Sequence, residues 1–334
     1  MQIGSVNLGE KPIFLAPMED VTDPSFRHIC KHFGADMMYT EFVSSDGLIR
    51  DARKTLKKLE IVNSERPIGI QIYGHLTDAM VQAAVIAEEA SPDLIDINFG
   101  CPVRKIATRG AGAGMLCNVP LMVEMTKAIV KAVKLPVTVK TRLGWDGETK
   151  NIVDVAERLQ DAGIAAITIH GRTRAQLYTG EADWTLIGAV KNNPRMHIPV
   201  IGNGDIDSGV KAREMFNRHG IDGIMIGRAT YGRPWIFAEI KHFLQTGEPM
   251  TPLTIAQKVE LAKMHLAKSI EYKGIPVGIF EMRRHLSNYF KALPNFKQTR
   301  MKLVTSMDVS ELIGILDGIS ELYEMRENDV QIRT

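Results

Sequence analysis

The sequence predicts a closed (β/α)8 barrel followed by a small all-helical domain, and three observations carry that expectation. Eight short apolar, β-branched runs recur at residues 13–18, 36–42, 68–73, 94–98, 136–141, 165–170, 198–202 and 222–227. Amphipathic segments of helical period separate them, and strands alternating with helices imply βαβ crossovers and a parallel sheet. Eight such units within about 230 residues fit a closed TIM barrel better than an open doubly wound sheet. After the eighth run no strand signal returns. Pro249 and Pro252 flank a polar connector, and only helical periodicity follows. The expected division is a barrel domain over 1–245, a helical domain over 250–326 and a tail over 327–334.

The individual elements have local reasons. Thr77 is placed to N-cap a helix through Ala90 that Pro92 closes. Asn151 is placed to cap another, with Ile152, Val155, Ala156 and Leu159 on one face before Gly163 ends it. Beyond the barrel, Thr254 starts a helix that turns Ile255, Val259, Ala262, Leu266 and Ile270 to one side. A last helix begins near Asp308, where Glu311 three residues on makes a capping box, and it should bury Leu312, Leu316, Ile319 and Leu322.

Composition bounds the function. The 334 residues are 45% apolar and 24% charged, which describes a globular chain able to bury a large core. A formal net charge of +2 leaves any polyanion site to be a local patch. Cys30, Cys101 and Cys117 are an odd count with no C-x-x-C pair. That argues against a disulfide framework or a structural zinc site and suits a reducing cytoplasm. Residues 1–11 lack an apolar signal region and no 18-residue apolar run occurs, so neither export nor a membrane span is expected.

The most informative stretch is Ile95-Asp96-Ile97-Asn98-Phe99-Gly100-Cys101-Pro102-Val103. It reads as the end of a buried strand followed at once by an amide, a small turn residue, a thiol and a proline. Groups just past a strand's carboxyl end face the mouth of a parallel α/β fold, where ligands bind. A lone cysteine there could equally pack as a small hydrophobe. The other strand ends weigh against that. Gln71, Asn98 with Cys101, Lys140 with Arg142, His170 with Gly171 and Arg172, Asn203 with Gly204 and Asp205, and Gly227 with Arg228 close six successive strands. One polar strand end is an ordinary turn, whereas six on one rim are more easily a single site.

Gly204, Asp205, Gly227 and Arg228 follow strands seven and eight, where barrels commonly bind phosphate. Glycines let backbone N–H groups approach the anion, and Arg228 can bind it in bidentate fashion. Lys140 reads either as a fixed charge against a reduced flavin or as a Schiff-base lysine, and spacing alone does not separate the two. Gly110, Gly112 and Gly114 do not follow a strand directly, so they read as a lid after Cys101 rather than a dinucleotide loop. No H-x-E pairs with P-C-x-x-C, which argues against a zinc base deaminase.

From Met282 to Met307 there are six basic residues, Arg283, Arg284, Lys291, Lys297, Arg300 and Lys302, and no Asp or Glu. Tyr289, Phe290 and Phe296 are interleaved among them, and Arg104, Lys105 and Arg109 form a second basic cluster beside Cys101. Basic side chains pair with phosphates and aromatics stack on unpaired bases, although Phe290 fits an inward-packed position better.

These residues carry a resemblance. The stretch from Ile95 to Pro102, followed by Gly110-Ala111-Gly112-Ala113-Gly114, resembles the signature of the tRNA-dihydrouridine synthases. Ala16-Pro17-Met18, Val139-Lys140-Thr141-Arg142, His170-Gly171-Arg172-Thr173, Gly202-Asn203-Gly204-Asp205 and Met225-Ile226-Gly227-Arg228 agree in the family's order. The likeness covers roughly residues 11–325. Among bacterial branches it is most similar to the B type, judged by the Cys-Pro loop and by Gly232-Arg233-Pro234-Trp235-Ile236-Phe237.

The resemblance implies an FMN-dependent, NADPH-consuming monomer that reduces the C5–C6 double bond of a uridine in tRNA and holds no metal. Pro17, Met18, Gln71, Lys140, His170, Asn203, Gly204, Asp205, Gly227 and Arg228 would then hold FMN. Asn98 and Arg142 would face the uracil, with Arg172 beside them, and Cys101 would donate the proton. Arg283, Arg284 and Lys291 would contact tRNA. The chain departs from the family at Glu19-Asp20, where relatives often carry small residues. Two alternatives are an FMN barrel oxidoreductase acting on a small pyrimidine or enoyl substrate, and a non-catalytic RNA-binding barrel.

Overall fold

The computed structural model describes residues 1–50 and 53–331, and the chain divides into two compact units, Met1–Ala229 and Thr230–Thr334. The first unit holds all eight expected strands: β1 (Ile13–Leu15), β2 (Met38–Tyr39), β3 (Ile68–Tyr73), β4 (Leu94–Phe99), β5 (Val137–Arg142), β6 (Ala166–His170), β7 (Val200–Asn203) and β8 (Gly223–Ile226). They pair in parallel in the order β1-β8-β7-β6-β5-β4-β3-β2. The ring closes between β1 and β2 through one bridge, Phe14 with Met37. Two bonds flank it, Asp36 N–H to Ile13 O at 3.0 Å and Leu15 N–H to Met37 O at 2.9 Å. Helices cover the outside, among them Thr77–Glu89, Val119–Ala132, Ile152–Asp161 and Gly209–His219. This is the (β/α)8 barrel that the alternating pattern requires.

The strands at the seam are shorter than their apolar runs. β1 stops at Leu15 because Met18 turns the chain, taking the Thr22 hydroxyl on its N–H and bonding the Thr22 N–H with its carbonyl. Within the run 36–42 only Met38–Tyr39 forms β2; a second short strand, Val43–Ser44, follows just past the run and pairs further along β3. Inside the barrel, side chains alternate in layers. Gln71, Asp96 and Thr138 lie at one level because β3, β4 and β5 pair Gln71 with Asp96 and Asp96 with Thr138. Asn98 and Lys140 form the next level toward the strands' carboxyl ends. At the opposite end a hairpin of Gln2–Ile3 and Val6–Asn7 plugs the barrel, burying Ile3 against Phe14, Leu94, Ala166 and Ile201.

Helix starts depart slightly from expectation. Leu76, in an extended conformation, occupies the N-cap of Thr77–Glu89, so Thr77 is the first helical residue and caps nothing. Asn151 occupies the N-cap position of Ile152–Asp161, but its side chain makes no capping hydrogen bond; the four apolar residues assigned to the helix's inner face are buried.

The second unit contains Ile236–Thr246, Ile255–Lys273, Ile275–Tyr289, Lys297–Thr305 and Val309–Gln331. The connector around Pro249 lies inside this unit rather than at its border, because Trp235 and Tyr289 pack ring to ring at 5.8 Å. Thr254 and Gln257 form a capping box. Asp308 caps the last helix by accepting the Glu311 N–H at 2.7 Å, and Ser306 completes the turn by donating to Glu311 at 2.6 Å. Leu322, expected to be buried, is exposed. From Leu312, steps of four, three and four residues reach Leu316, Ile319 and Tyr323, and Tyr323 takes the inner place with its hydroxyl on Pro294 O at 2.6 Å. Helix runs through Gln331 of the expected tail; residues 332–334 lie outside the described ones. Among the described residues no helix is long and apolar enough to cross a membrane.

Candidate active site

The mouth of the barrel is built from strand ends. Asn98, the last inward residue of β4, bends the chain: its Oδ1 accepts the N–H of Gly100 at 3.0 Å and of Cys101 at 2.8 Å. This side-chain-to-backbone turn holds the thiol beside the site, with Cys101 buried at 7% exposure. Burial pushes the Cys101 thiol above its ordinary value, against opposing pulls from the Val103 backbone, Arg142 and Lys140. The thiol is therefore a stored acid at neutral pH.

The glycine run after Cys101 is a packed turn, which corrects the expectation of a lid. Gly112, Ala113 and Gly114 are buried, and Ala113 N–H donates to Cys101 O at 3.0 Å. A Cβ on Gly112, whose φ is +55°, would lie 3.0 Å from the Cβ and the carbonyl oxygen of Cys101. Only a residue without a side chain lets this turn sit against the thiol's own backbone.

Four cations converge across the mouth. Lys140 Nζ donates to Asn203 Oδ1 at 3.2 Å, and Asn203 Nδ2 in turn donates to Met225 O at 2.8 Å, tying β5, β7 and β8 together. Burial, with Arg142 adding, lowers Lys140 to about 8. Arg142 is clamped by three carbonyls, Nε to Gly100 O at 2.7 Å and Nη1 to Thr173 O at 3.0 Å and Leu177 O at 2.9 Å. Burial brings Arg142 down to about 10, with Arg172 and Arg228 adding to it against Tyr178 and Cys101. His170 is held well below its ordinary value by burial and then by Arg142, Lys140, Arg172 and Arg228. It is therefore neutral. Its Nε2 lies 3.3 Å from Arg172 Nη1, a donor only, so Nε2 accepts and the ring proton sits on Nδ1.

Arg172, expected beside the substrate, is built into the rim loop. Its Nε donates to Thr179 O at 3.1 Å, Nη2 donates to Gly180 O, and both Nη atoms reach Asp205. Asp205 also accepts Ala182 N–H at 2.8 Å and Arg228 Nη2 at 3.2 Å. Burial alone would raise its carboxyl, but Arg172, the Ala182 N–H and Arg228 hold it below the usual range. A Cβ on Gly204, whose φ is +133°, would lie 2.6 Å from the Ala182 Cβ, so the turn beneath Asp205 requires glycine. Asn203, Asp205, Met225, Gly227 and Arg228 line a cavity of about 400 Å³. From β1, Met18 reaches the same place, its Sδ 3.5 Å from the position of a Cβ on Gly227, with the half-buried Pro17 just before it. Gln71 is fully buried one layer down, donating to Asp96 and accepting from Asn98. The expected cofactor residues thus gather around one mouth. The unusual Glu19 turns its carboxylate onto Lys58, and Asp20 donates its N–H to Glu41 at 2.7 Å.

Tyr178 was not read from the sequence. It is 52% exposed on the loop after β6, and its ring lies 5.6 Å from the Arg142 guanidinium carbon and 4.8 Å from that of Arg228. Its only sequence signal is an aromatic next to Leu177, also exposed, in an otherwise polar loop.

In the helical unit the interleaved aromatics do not face solvent. Tyr289, Phe290 and Phe296 are buried and pack as tilted rings, Phe290 between the other two; this agrees with the inward position expected for Phe290 and corrects the reading of Tyr289 and Phe296 as base-stacking groups. Arg284, Lys291, Lys297, Arg300 and Lys302 are exposed, and Arg283 is half-buried. Phe280 is an accessible aromatic, 63% exposed, with the Arg283 guanidinium 5.2 Å from its ring.

A parallel eight-stranded barrel with a buried thiol and converging cations at the carboxyl ends of its strands is the architecture of a barrel enzyme. The family model described as "Dihydrouridine synthase (Dus)" matches residues 14–320. A protein named "Probable tRNA-dihydrouridine synthase" from Rickettsia conorii is 40% identical over 97% of this chain and 96% of its own length. One named "tRNA-dihydrouridine synthase B" from Pseudomonas aeruginosa is 41% identical over 98% and 97%. The chain belongs to the dihydrouridine synthase family, an oxidoreductase family. Among solved structures, the old yellow enzyme homologue from Zymomonas mobilis superposes with a TM-score of 0.53 at 15% identity, over 77% of this chain and 94% of that one, a likeness of fold.

Proposed function

We propose that this protein reduces the C5–C6 double bond of uridines in tRNA to 5,6-dihydrouridine, using FMN as the bound cofactor and NADPH as reductant. The observation that supports it most is the buried acid Cys101, fixed by Asn98 beside a mouth in which four cations surround the neutral His170. In the rim itself Asp205 answers Arg172 and Arg228, and Asp96 lies below Lys140. That excess of positive charge fits a ligand that brings negative charge, as a flavin mononucleotide does through its phosphate and its reduced ring. Gln71, Lys140, His170 and Asn203 would hold the ring, and Gly204, Gly227 and Arg228 the phosphate, with Asp205 orienting Arg228 and Pro17 and Met18 closing the side.

FMN, when bound there and reduced by NADPH, would supply the hydride that the C6 position of the uracil requires. Cys101 donates its thiol proton to C5, and solvent returns a proton to the thiolate. Arg142 and Lys140 stabilise the charge that develops on the uracil oxygens and on the sulfur. Asn98 presents its amide to the base while bracing the thiol, and Tyr178 offers a ring face at the entrance. The uridine must leave its stack to reach the mouth. Arg283, Arg284 and Lys291, with Phe280 beside them, would grip the RNA. Three free cysteines suit a cytoplasmic setting.

The decisive measurement is the anaerobic visible spectrum of the purified protein. A flavin spectrum that bleaches with NADPH and returns only on adding unmodified tRNA supports the reading. Return with a free pyrimidine or an enone instead would assign a small-molecule oxidoreductase.

A further inference from the structure

We propose that Asp96 is a positioning residue that fixes the direction of a hydrogen-bond relay ending on the backbone of Cys101. The inference rests on the reading of Cys101 as the proton donor. Asp96 Oδ2 accepts from Gln71 Nε2 at 2.6 Å, and its Oδ1 accepts from Thr138 Oγ1 at 2.5 Å. Gln71 Oε1 accepts from Asn98 Nδ2 at 2.9 Å, and Asn98 Oδ1 accepts the two N–H groups of Gly100 and Cys101. Asp96, Gln71, Thr138 and Asn98 are all buried.

A side-chain amide can face either way, and two in series could run in either direction. The carboxylate removes the choice. It can only accept, so Gln71 must turn its NH2 down toward Asp96 and its oxygen up. Asn98 must then answer with its NH2, leaving its oxygen for the turn at Gly100 and Cys101. Reversing the relay would set an amide NH2 against two backbone N–H groups and release the thiol loop. A neutral group at position 96 that can also donate permits both directions.

The charged or titratable groups facing Asp96 are Lys140 on β5 and Tyr39 on β2. Burial raises the Asp96 carboxyl to about 6, against the Gln71 and Thr138 hydrogen bonds and Lys140. A protonated Asp96 can donate. The wild type below that pH should therefore behave as an Asp96→Asn variant does at every pH.

Asp96→Asn tests the relay by amide hydrogen exchange and by kinetics on the flavin-loaded protein. Exchange at Gly100 and Cys101 should be about tenfold faster, the loss of roughly one hydrogen bond, while exchange in Ile236–Thr246 stays as in the wild type. Turnover at saturating tRNA should fall with KM for tRNA unchanged, and the decline of wild-type kcat below about pH 6 should be missing from the variant. Thr138→Val removes a donor to the carboxylate and should move that acid limb to higher pH. If Asp96→Asn does not fold, this second variant decides alone. Unchanged exchange at Gly100 and Cys101, or an acid limb that Thr138→Val leaves in place, overturns the proposal. A wild type inactive on tRNA would instead reject the preceding reading, while the exchange data still decide the relay.

Discussion

Asp205 accepts from both terminal nitrogens of Arg172, at 3.0 and 2.7 Å, and the arginine side chain is 2% exposed. This pair joins the loop after β6 to the loop after β7, and Arg228 reaches the same carboxylate from β8. Asp205→Ala leaves a buried guanidinium with two backbone carbonyls and no counter-charge. The expected result is a loss of about 2 kcal/mol of stability, the scale of hydrogen bonds to charged groups, read from urea unfolding, together with weaker flavin retention. An unchanged midpoint would mean that solvent already replaces the carboxylate.

Cys101→Ala removes the acid without touching the cavity after β7. Flavin content and reduction by NADPH should match the wild type, while single-turnover reoxidation by tRNA slows by about 10²- to 10⁴-fold, the usual worth of a general acid. A rate equal to the wild type's would exclude Cys101 from proton delivery.

Lys140 carries a linkage prediction. The unfolded chain keeps the lysine proton up to its ordinary 10.5, whereas the folded protein releases it near 8. Between these values the unfolded state binds more protons, so wild-type stability rises with pH across the window and the burial penalty is full below it. Lys140→Met should therefore be more stable at pH 7, by about 2 kcal/mol once the lost Asn203 hydrogen bond is counted. The gap should narrow between pH 8 and 10.5. The same variant should lose flavin. Calorimetry across that range, with absorbance for cofactor content, checks both.

For the helical unit, neutralising Arg284, Lys291 and Lys302 together should raise KM for tRNA and lower the magnitude of the log–log salt slope by about 2–3. Flavin reduction by NADPH should not change. Phe280→Ala should weaken tRNA binding by a further 1–2 kcal/mol if its ring stacks on a base. Filter binding at several salt concentrations separates the two contributions.

Much of the barrel was legible because strand and helix periods alternate eight times, and a repeat averages out local ambiguity. The seam was not. Strand β1 is cut short by the turn at Met18, and β2 is short because its pairing is decided by closure of the ring, a long-range event that a run of β-branched residues does not encode. The rim was legible because its polar groups fall at one phase of six successive units. The partners of Arg172 were not legible because they cannot be seen without the loop that brings up Asp205 and Gly180. The glycines at 110–114 looked mobile for want of side chains, yet the same lack lets them pack against Cys101. The buried cluster of Tyr289, Phe290 and Phe296 shows a similar limit: basic residues between aromatics have one spacing whether the rings point in or out.

The hairpin that plugs the barrel with Ile3 has a kinetic consequence. It closes the end opposite the mouth, and the mouth is the doorway to the strands' carboxyl ends. On the proposed reading, a bulky reductant and a bulkier RNA must both use that doorway, and neither can pass the other. Reduction and delivery then become separate visits, with the cofactor carrying the electrons across the interval. Such an enzyme would show parallel double-reciprocal lines, and an excess of either visitor would shut out the other.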